Sequence, residues 1–198
     1  MVLVFASNNA HKLEEVRGIM PEGIQVLSLR DIGFEAEIEE NGSTLEENSK
    51  IKADAVAAFI SSLKSAFSCQ IDGVFADDTG LEIEALGGKP GVYTARWAGE
   101  PAANRKKALT ELANKENRKA QFRTVITLIK DGKTIQVSGV VRGRIAEKEF
   151  GQGGFGYDPI FIPEGYDKTF GELQAEVKNG ISHRARALQA LIKVIGER

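Results

Sequence analysis

A single cysteine, Cys69, leaves the chain without any intrachain disulfide. The same scarcity excludes a thiolate-rich zinc site, and two histidines leave little for a nitrogen-rich one. Basic charge is not in surplus either: 26 Lys and Arg stand against 28 Asp and Glu, a net −2. Proteins that wrap duplex nucleic acid usually carry a clear basic excess, so no nucleic-acid polymer is expected as a partner. Small anionic ligands need only a local cluster and stay open. Long apolar runs are also missing. Residues 2–6 stop at Ser7-Asn8-Asn9, and residues 53–60 contain Asp54 and run into Ser61, Ser62 and Lys64. Neither run approaches the ~20 residues of a membrane helix, and the first is too short for a signal-peptide core. With the lone thiol, this leads to the expectation of a cytoplasmic protein with no membrane partner. A chain of 198 residues hides roughly 70% of its unfolded surface on folding, enough for a core without staples.

What is there reads as alternating elements. Residues 2–6 form a continuous apolar run, as a fully buried strand should. Ser7-Asn8-Asn9 then offers helix caps, and Leu13, Val16 and Met20 recur at helical spacing until Pro21. Residues 24–29 read as a second strand. Ser43 and Glu46 have the spacing of a capping box, opening a long helix with an apolar stripe of Leu45, Ala55, Ala58, Phe59 and Leu63. Residues 74–78 read as a strand ending in Asp77-Asp78, and residues 81–84 alternate like a half-exposed strand. A helix follows over 101–116. Residues 122–129 and 134–141 flank Asp131-Gly132, a hairpin signal. Residues 151–156 are too glycine-rich for regular structure, residues 160–162 make a short strand, and residues 187–195 an amphipathic closing helix. The pattern predicts an α/β fold with a mixed sheet and helices on its faces.

Four segments carry polar groups where chemistry could occur. Ser7-Asn8-Asn9-Ala10-His11-Lys12 lies between a buried strand and a helix N-terminus, where free N–H groups favour an anion. Lys12 opposes the helix dipole, and a bound phosphate would reconcile the two; a plain cap with a solvated lysine is the simpler alternative. Asp77-Asp78 follows Val74-Phe75-Ala76, which places two carboxylates near the core. Adjacent residues of an extended chain face opposite ways, so at most one aspartate faces a given site. Partly buried carboxylates are costly unless a cation or hydrogen-bond donors compensate, and Mg²⁺ is the natural hard, oxygen-seeking cation; an Asx-turn at a strand end is the simpler alternative. With Glu46 assigned to the capping box, Glu47 is left as a candidate second ligand, or else a solvated acid at the helix start. The fourth segment is Gly153-Gly154-Phe155-Gly156-Tyr157-Asp158, with Lys178, Ser182, His183 and Arg184 downstream. Singly, Phe155 is an ordinary core ring and Arg184 a solvated first-turn residue. Together, a ring between glycines and a rigid donor fork fit a nucleobase pocket better.

The blocks Ser7-x-Asn9-x-x-Lys12, Glu47-Asn48, Ala76-Asp77-Asp78-Thr79-Gly80-Leu81, Gly88-x-Pro90-Gly91-x-Tyr93-x-Ala95-Arg96, Gly153-Gly154-Phe155-Gly156-Tyr157-Asp158-Pro159-Ile160-Phe161 and Lys178-x-x-Ile181-Ser182-His183-Arg184 occur in this order. Over nearly the whole chain they resemble the inosine/xanthosine triphosphate pyrophosphatase family. The resemblance implies one pyrophosphatase domain over residues 1–198, in a two-lobed α/β subunit. An elongated mixed central β-sheet would be flanked by helices, with a nucleotide cleft between the lobes and a second copy completing a homodimer. It implies Mg²⁺-dependent hydrolysis of noncanonical purine nucleoside triphosphates (ITP, dITP, XTP) to monophosphate and pyrophosphate. Carried over by position, Ser7, Asn8, Asn9, Ala10, His11 and Lys12 would hold phosphates. Glu47 and Asp78 would serve the metal, with Asp78 also the proton acceptor. Thr79 would contact substrate, Phe155, Gly156, Tyr157 and Asp158 would frame the base, and Lys178, His183 and Arg184 would complete the site. Two positions depart from the common pattern: Asn8 where glycine is frequent, tolerable because Asn accepts left-handed φ, and Thr79 where serine is common. The alternatives are a pyrophosphatase for other modified nucleotides and a nucleotide-binding module without turnover.

Overall fold

The computed structural model describes residues 1–63 and 70–196, so Cys69 lies outside the described residues. The first strand, β1 (Val2–Phe5), is followed by α1 (Ala10–Ile19) and a short β2 (Gln25–Leu27) parallel to β1. Next comes α2 (Leu45–Ser62) and then β3 (Gly73–Ile83), also parallel to β1. A two-residue β4 (Pro90–Gly91) pairs antiparallel with β3 and leads into α3 (Pro101–Glu111). The long hairpin is β5 (Lys119–Lys130) and β6 (Lys133–Ile145); β7 (Phe161–Pro163), α4 (Ala175–Ile181) and α5 (His183–Gly196) complete the chain. The strands form one mixed sheet in the order β2-β1-β3-β5-β6-β7, with β4 on β3. This is the expected α/β class. No described helix is long and apolar enough to cross a membrane.

The chain divides into two compact units, one of Met1–Asp78, Val125–Ser138 and Ala187–Arg198, the other of Thr79–Thr124 and Gly139–Arg186. The first unit buries two apolar layers. Leu3, Phe5 and Phe75 pack with Val16 of α1 and Ala187, Leu188 and Leu191 of α5. Val4, Ala6, Val74 and Ala76 pack with Ala53 and Val56 of α2. Odd and even residues of β3 thus face different helices, as a pleated strand requires. The second unit gathers Leu81, Ile83, Phe122, Tyr157, Phe161 and Phe170 with Ala108 and Leu112 around α3, and Trp97 packs at its margin.

Several local readings shift. Asp131 and Gly132 adopt φ of 52° and 70°, the left-handed pair that a two-residue hairpin turn needs. Residues 74–84 form no pair of strands: β3 is continuous, and Asp77-Asp78 sit within it, past the last β1 partner at Phe75. The α2 stripe is out of phase with the expectation. Its buried residues are Leu45, Asn48, Ser49, Lys52, Ala53 and Val56, whereas Ala58 is exposed. Small and polar residues are buried there because side chains of β5 and β3 meet them: Ser49 Oγ lies 2.6 Å from Thr127 Oγ1.

Candidate active site

In the first unit the strand alternation sends the two carboxylates to different helices. Asp77 Oδ1 accepts from Lys12 Nζ of α1 at 2.9 Å, and Asp78 Oδ1 faces Lys52 Nζ of α2 at 3.4 Å. Lys52 also donates to Glu40 Oε2 at 2.6 Å, so it links a loop carboxylate to a strand carboxylate. The cations demanded by buried acids are therefore supplied first by the chain itself. Lys12, read as awaiting a phosphate, has Asp77 as a partner. Sequence reading passes over Glu40 and gives Lys52 no role. Lys52 is buried off the apolar stripe that spacing suggests for α2, and Glu40 lies in the loop before that helix, so neither carries a local signal.

Burial raises the pKa of Asp78. Lys52 and Lys12 oppose that rise, while Glu40 and Asp77 add to it. Burial by itself would lower the pKa of Lys52, but the charges of Asp78, Asp77 and Glu40 overcome it and the net direction is up. Burial is the main cause of the rise at Asp78, whereas the three surrounding acids explain the rise at Lys52. Asp78 Oδ2 is buried and has no hydrogen-bond partner among the described residues.

The helix start also differs from expectation. The N-cap of α2 is Thr44, and Glu47 is the acid of its capping box, not Glu46. Glu47 Oε2 accepts from Ser43 N–H at 2.6 Å, Ser43 Oγ at 2.8 Å and Thr44 N–H at 3.2 Å. Those donors, Ser43 foremost, hold its carboxyl below the usual range. Next to it, Asn48 Oδ1 accepts from Gly42 N–H at 2.8 Å. The loop bearing Glu40 is thus tied down two to four residues downstream of it. Among the described residues, no group of three or more His, Cys, Asp or Glu converges as a metal site. A hard cation held by one or two carboxylates and completed by phosphate oxygens and water does not need three. The unpartnered Asp78 Oδ2 fits that role, with Glu40 as the second acid joined through Lys52.

The turn from β1 to α1 is built by its own side chains. Asn9 caps α1, its Oδ1 accepting from Lys12 N–H at 3.1 Å, and Ser7 Oγ accepts from Asn9 N–H at 3.3 Å. Asp131 is the one described non-glycine residue with positive φ, so Asn8 does not use its left-handed tolerance. Asn8, Asn9, Ala10 and His11 are exposed, leaving the helix N-terminus accessible.

The second unit assembles the other candidates. Arg184 is 1% exposed, not a solvated first-turn residue. Its guanidinium lies 5.7 Å from the Phe155 ring centre, and Lys178 Nζ lies 4.8 Å from the same ring. Lys178 is itself buried and pairs with Asp158 Oδ2 at 2.7 Å; that oxygen also accepts from Phe155 N–H at 2.7 Å. A side chain at Gly154, with φ of 69°, would collide with the Asp158 carboxylate. Asp158 therefore fixes the glycine-rich loop, and Tyr157 anchors it by donating its hydroxyl to Thr94 O at 3.0 Å. Burial pushes the Tyr157 hydroxyl pKa strongly up, so it stays a donor. His183 stacks on Phe122 at 4.6 Å. Ser182 Oγ accepts from Ala185 N–H at 3.2 Å, capping α5. Arg184 Nη2 also reaches Thr79 Oγ1 at 3.4 Å.

Comparison with known proteins finds relatives along almost the whole chain. The model of the Ham1 family matches residues 3–194. The chain is 48% identical over 198 residues to a Flavobacterium johnsoniae protein named dITP/XTP pyrophosphatase, covering 98% of each. It is 47% identical over 199 residues to a Bacillus subtilis protein of the same name, covering 97% of this chain and 96% of that one. The solved Ham1 protein of Staphylococcus aureus superposes with a TM-score of 0.84 at 39% identity, over 100% of both chains. A HAM1 protein from Coxiella burnetii gives 0.85 at 35% identity, again over 100% of both. A match that runs almost from end to end, at such identities, places this chain in the Ham1 family.

Proposed function

We propose that residues 1–198 act as one pyrophosphatase domain that hydrolyses noncanonical purine nucleoside triphosphates (ITP, dITP and XTP) to the monophosphate and pyrophosphate. The names of its relatives, dITP/XTP pyrophosphatase, support the substrate class. The observation that carries the reading is Asp78: a buried carboxylate with one oxygen unpartnered among the described residues and its pKa raised. A carboxyl group raised above its usual value is a better proton acceptor near neutrality than an exposed aspartate. Asp78 orients the attacking water and takes its proton. Lys12 and the exposed N-terminus of α1 attract the departing pyrophosphate. Mg²⁺, held by Asp78 and Glu40, would supply neutralisation of the phosphate charge. Glu47 acts on the loop bearing Glu40 through the capping box.

Base choice follows from hydrogen-bond chemistry. Hypoxanthine and xanthine present an acceptor oxygen at C6, whereas adenine presents a donor. Arg184 can only donate, so adenine leaves donors facing donors. One such buried mismatch costs about 1–3 kcal/mol, roughly ten- to hundredfold in selectivity. We further propose a homodimer working in the cytoplasm, which sedimentation and cell fractionation test. The deciding experiment is a triphosphate panel (ITP, dITP, XTP, ATP, GTP), with products identified and Mg²⁺ present or chelated. Pyrophosphate release from ITP and XTP far above that from ATP, abolished by chelation, is expected. Equal rates on ATP, or release of orthophosphate, would overturn the reading.

A further inference from the structure

One buried hydroxyl has no part in the roles described above. Thr124 of β5 is 0% exposed, and its Oγ1 lies 2.8 Å from Thr79 Oγ1 of β3. Thr79 is only partly buried, and its oxygen lies 3.4 Å from Arg184 Nη2. We propose that Thr124 is a positioning residue for nucleotide binding, setting the direction of the Thr79 hydroxyl so that it donates to the ligand. The inference rests on the proposed function, because it assigns Thr79 a ligand.

The argument is one of counting donors and acceptors. A hydroxyl has one proton and two lone pairs, and an arginine has protons only. Thr124 is sealed from water, and the Thr79 oxygen is its one side-chain hydroxyl partner among the described residues. A buried hydroxyl proton without an acceptor is unfavourable, so Thr124 donates to Thr79. Arg184 donates to the same oxygen. Both lone pairs of Thr79 are then occupied, and its own proton is the one hydrogen-bonding capacity left. Partly exposed, that proton meets an acceptor. A phosphate or sugar oxygen satisfies it, whereas a donor group does not. Because the same oxygen receives Arg184, the arrangement also holds the guanidinium over Phe155. Removing the Thr124 hydroxyl frees Thr79 to rotate, so its proton is no longer held toward the ligand acceptor.

T124V keeps the side-chain shape and removes the hydroxyl, while T124S keeps the hydroxyl. Steady-state kinetics on ITP are expected to show KM raised about three- to tenfold in T124V with kcat within about twofold, the loss of one modest hydrogen bond. T124S should return KM to the wild-type value. Calorimetric binding of IMP to the same proteins is expected to weaken by a similar factor in T124V alone. Should T124V melt below the assay temperature, T124C carries the same expectation, since it keeps the volume but has only a weak donor. Unchanged KM and IMP affinity in a folded T124V, or failure of T124S to restore them, would overturn the proposal. If wild-type protein binds IMP but does not cleave ITP, the catalytic reading fails while the calorimetric series still decides the role of Thr124. If wild-type protein neither binds nor cleaves, both fall.

Discussion

Replacing Asp78 by asparagine should separate activity from stability. The folded-state pKa of Asp78 is raised, chiefly by burial, above the ~3.9 of an unfolded aspartate. An acid shifted this way binds its proton more tightly in the fold. Its ionised form therefore weighs against folding at neutral pH; the penalty is absent below about pH 4 and complete once pH exceeds the folded pKa. Each tenfold rise in proton affinity corresponds to about 1.4 kcal/mol. In a domain of this size about 1 kcal/mol moves Tm by roughly 2–4 °C. Asparagine removes the penalty, and Lys52 is not stranded, because Glu40 Oε2 remains 2.6 Å from it. Loss of the longer Lys52–Asp78 contact offsets part of the gain. D78N should thus melt at the wild-type temperature or a few degrees above it at pH 7 with chelator present, and any advantage should disappear near pH 4. Loss of the general base should lower kcat on ITP about a thousandfold. Scanning calorimetry across pH, paired with pyrophosphate release, measures both. A Tm ten degrees lower, or kcat within tenfold of wild type, would refute the reasoning.

Four further outcomes follow from the geometry. K52M leaves Glu40 and Asp78 without their shared cation; by analogy with broken buried pairs it should cost about 3 kcal/mol, and an unchanged thermal melt would sink that account. Glu47 has a lowered pKa, so its cap contribution is full above the unfolded value of about 4.5 and fades as pH falls through the lower folded value; E47Q should flatten that acid limb in a Tm–pH series. In Mn²⁺ binding followed by electron paramagnetic resonance, E47Q should stay near wild type, whereas E40Q should weaken affinity about tenfold or more; the reverse order would make Glu47 the ligand. K178M breaks a buried pair with Asp158, so denaturant unfolding should show a loss of about 3 kcal/mol and proteases should cut the loop around Phe155 faster.

Much of the architecture was legible from local chemistry. The apolar run of β1, the Asn9 cap and the Asp131-Gly132 turn follow from residues within a few positions of one another. Such features depend on backbone conformation and near neighbours, which a sequence displays directly. The motif blocks likewise named Asp78, Thr79, Lys178 and Arg184 as candidates before any contact was known.

Partnership was not legible, because it depends on which distant segments the sheet brings side by side. Nothing in the helix Leu45–Ser62 announces that Lys52 will be buried between Glu40 and Asp78, some 12 and 26 residues away. The box acid is Glu47 and not Glu46 because the chain enters the helix at Thr44, a shift of one residue that spacing alone leaves undecided. Asp77 and Asp78 meet different lysines because strand pleating turns them apart and separate helices cover the two faces. Residue identity names the groups capable of chemistry, and packing selects which of them become buried and paired, since burial and charge pairing arise only when remote stretches meet.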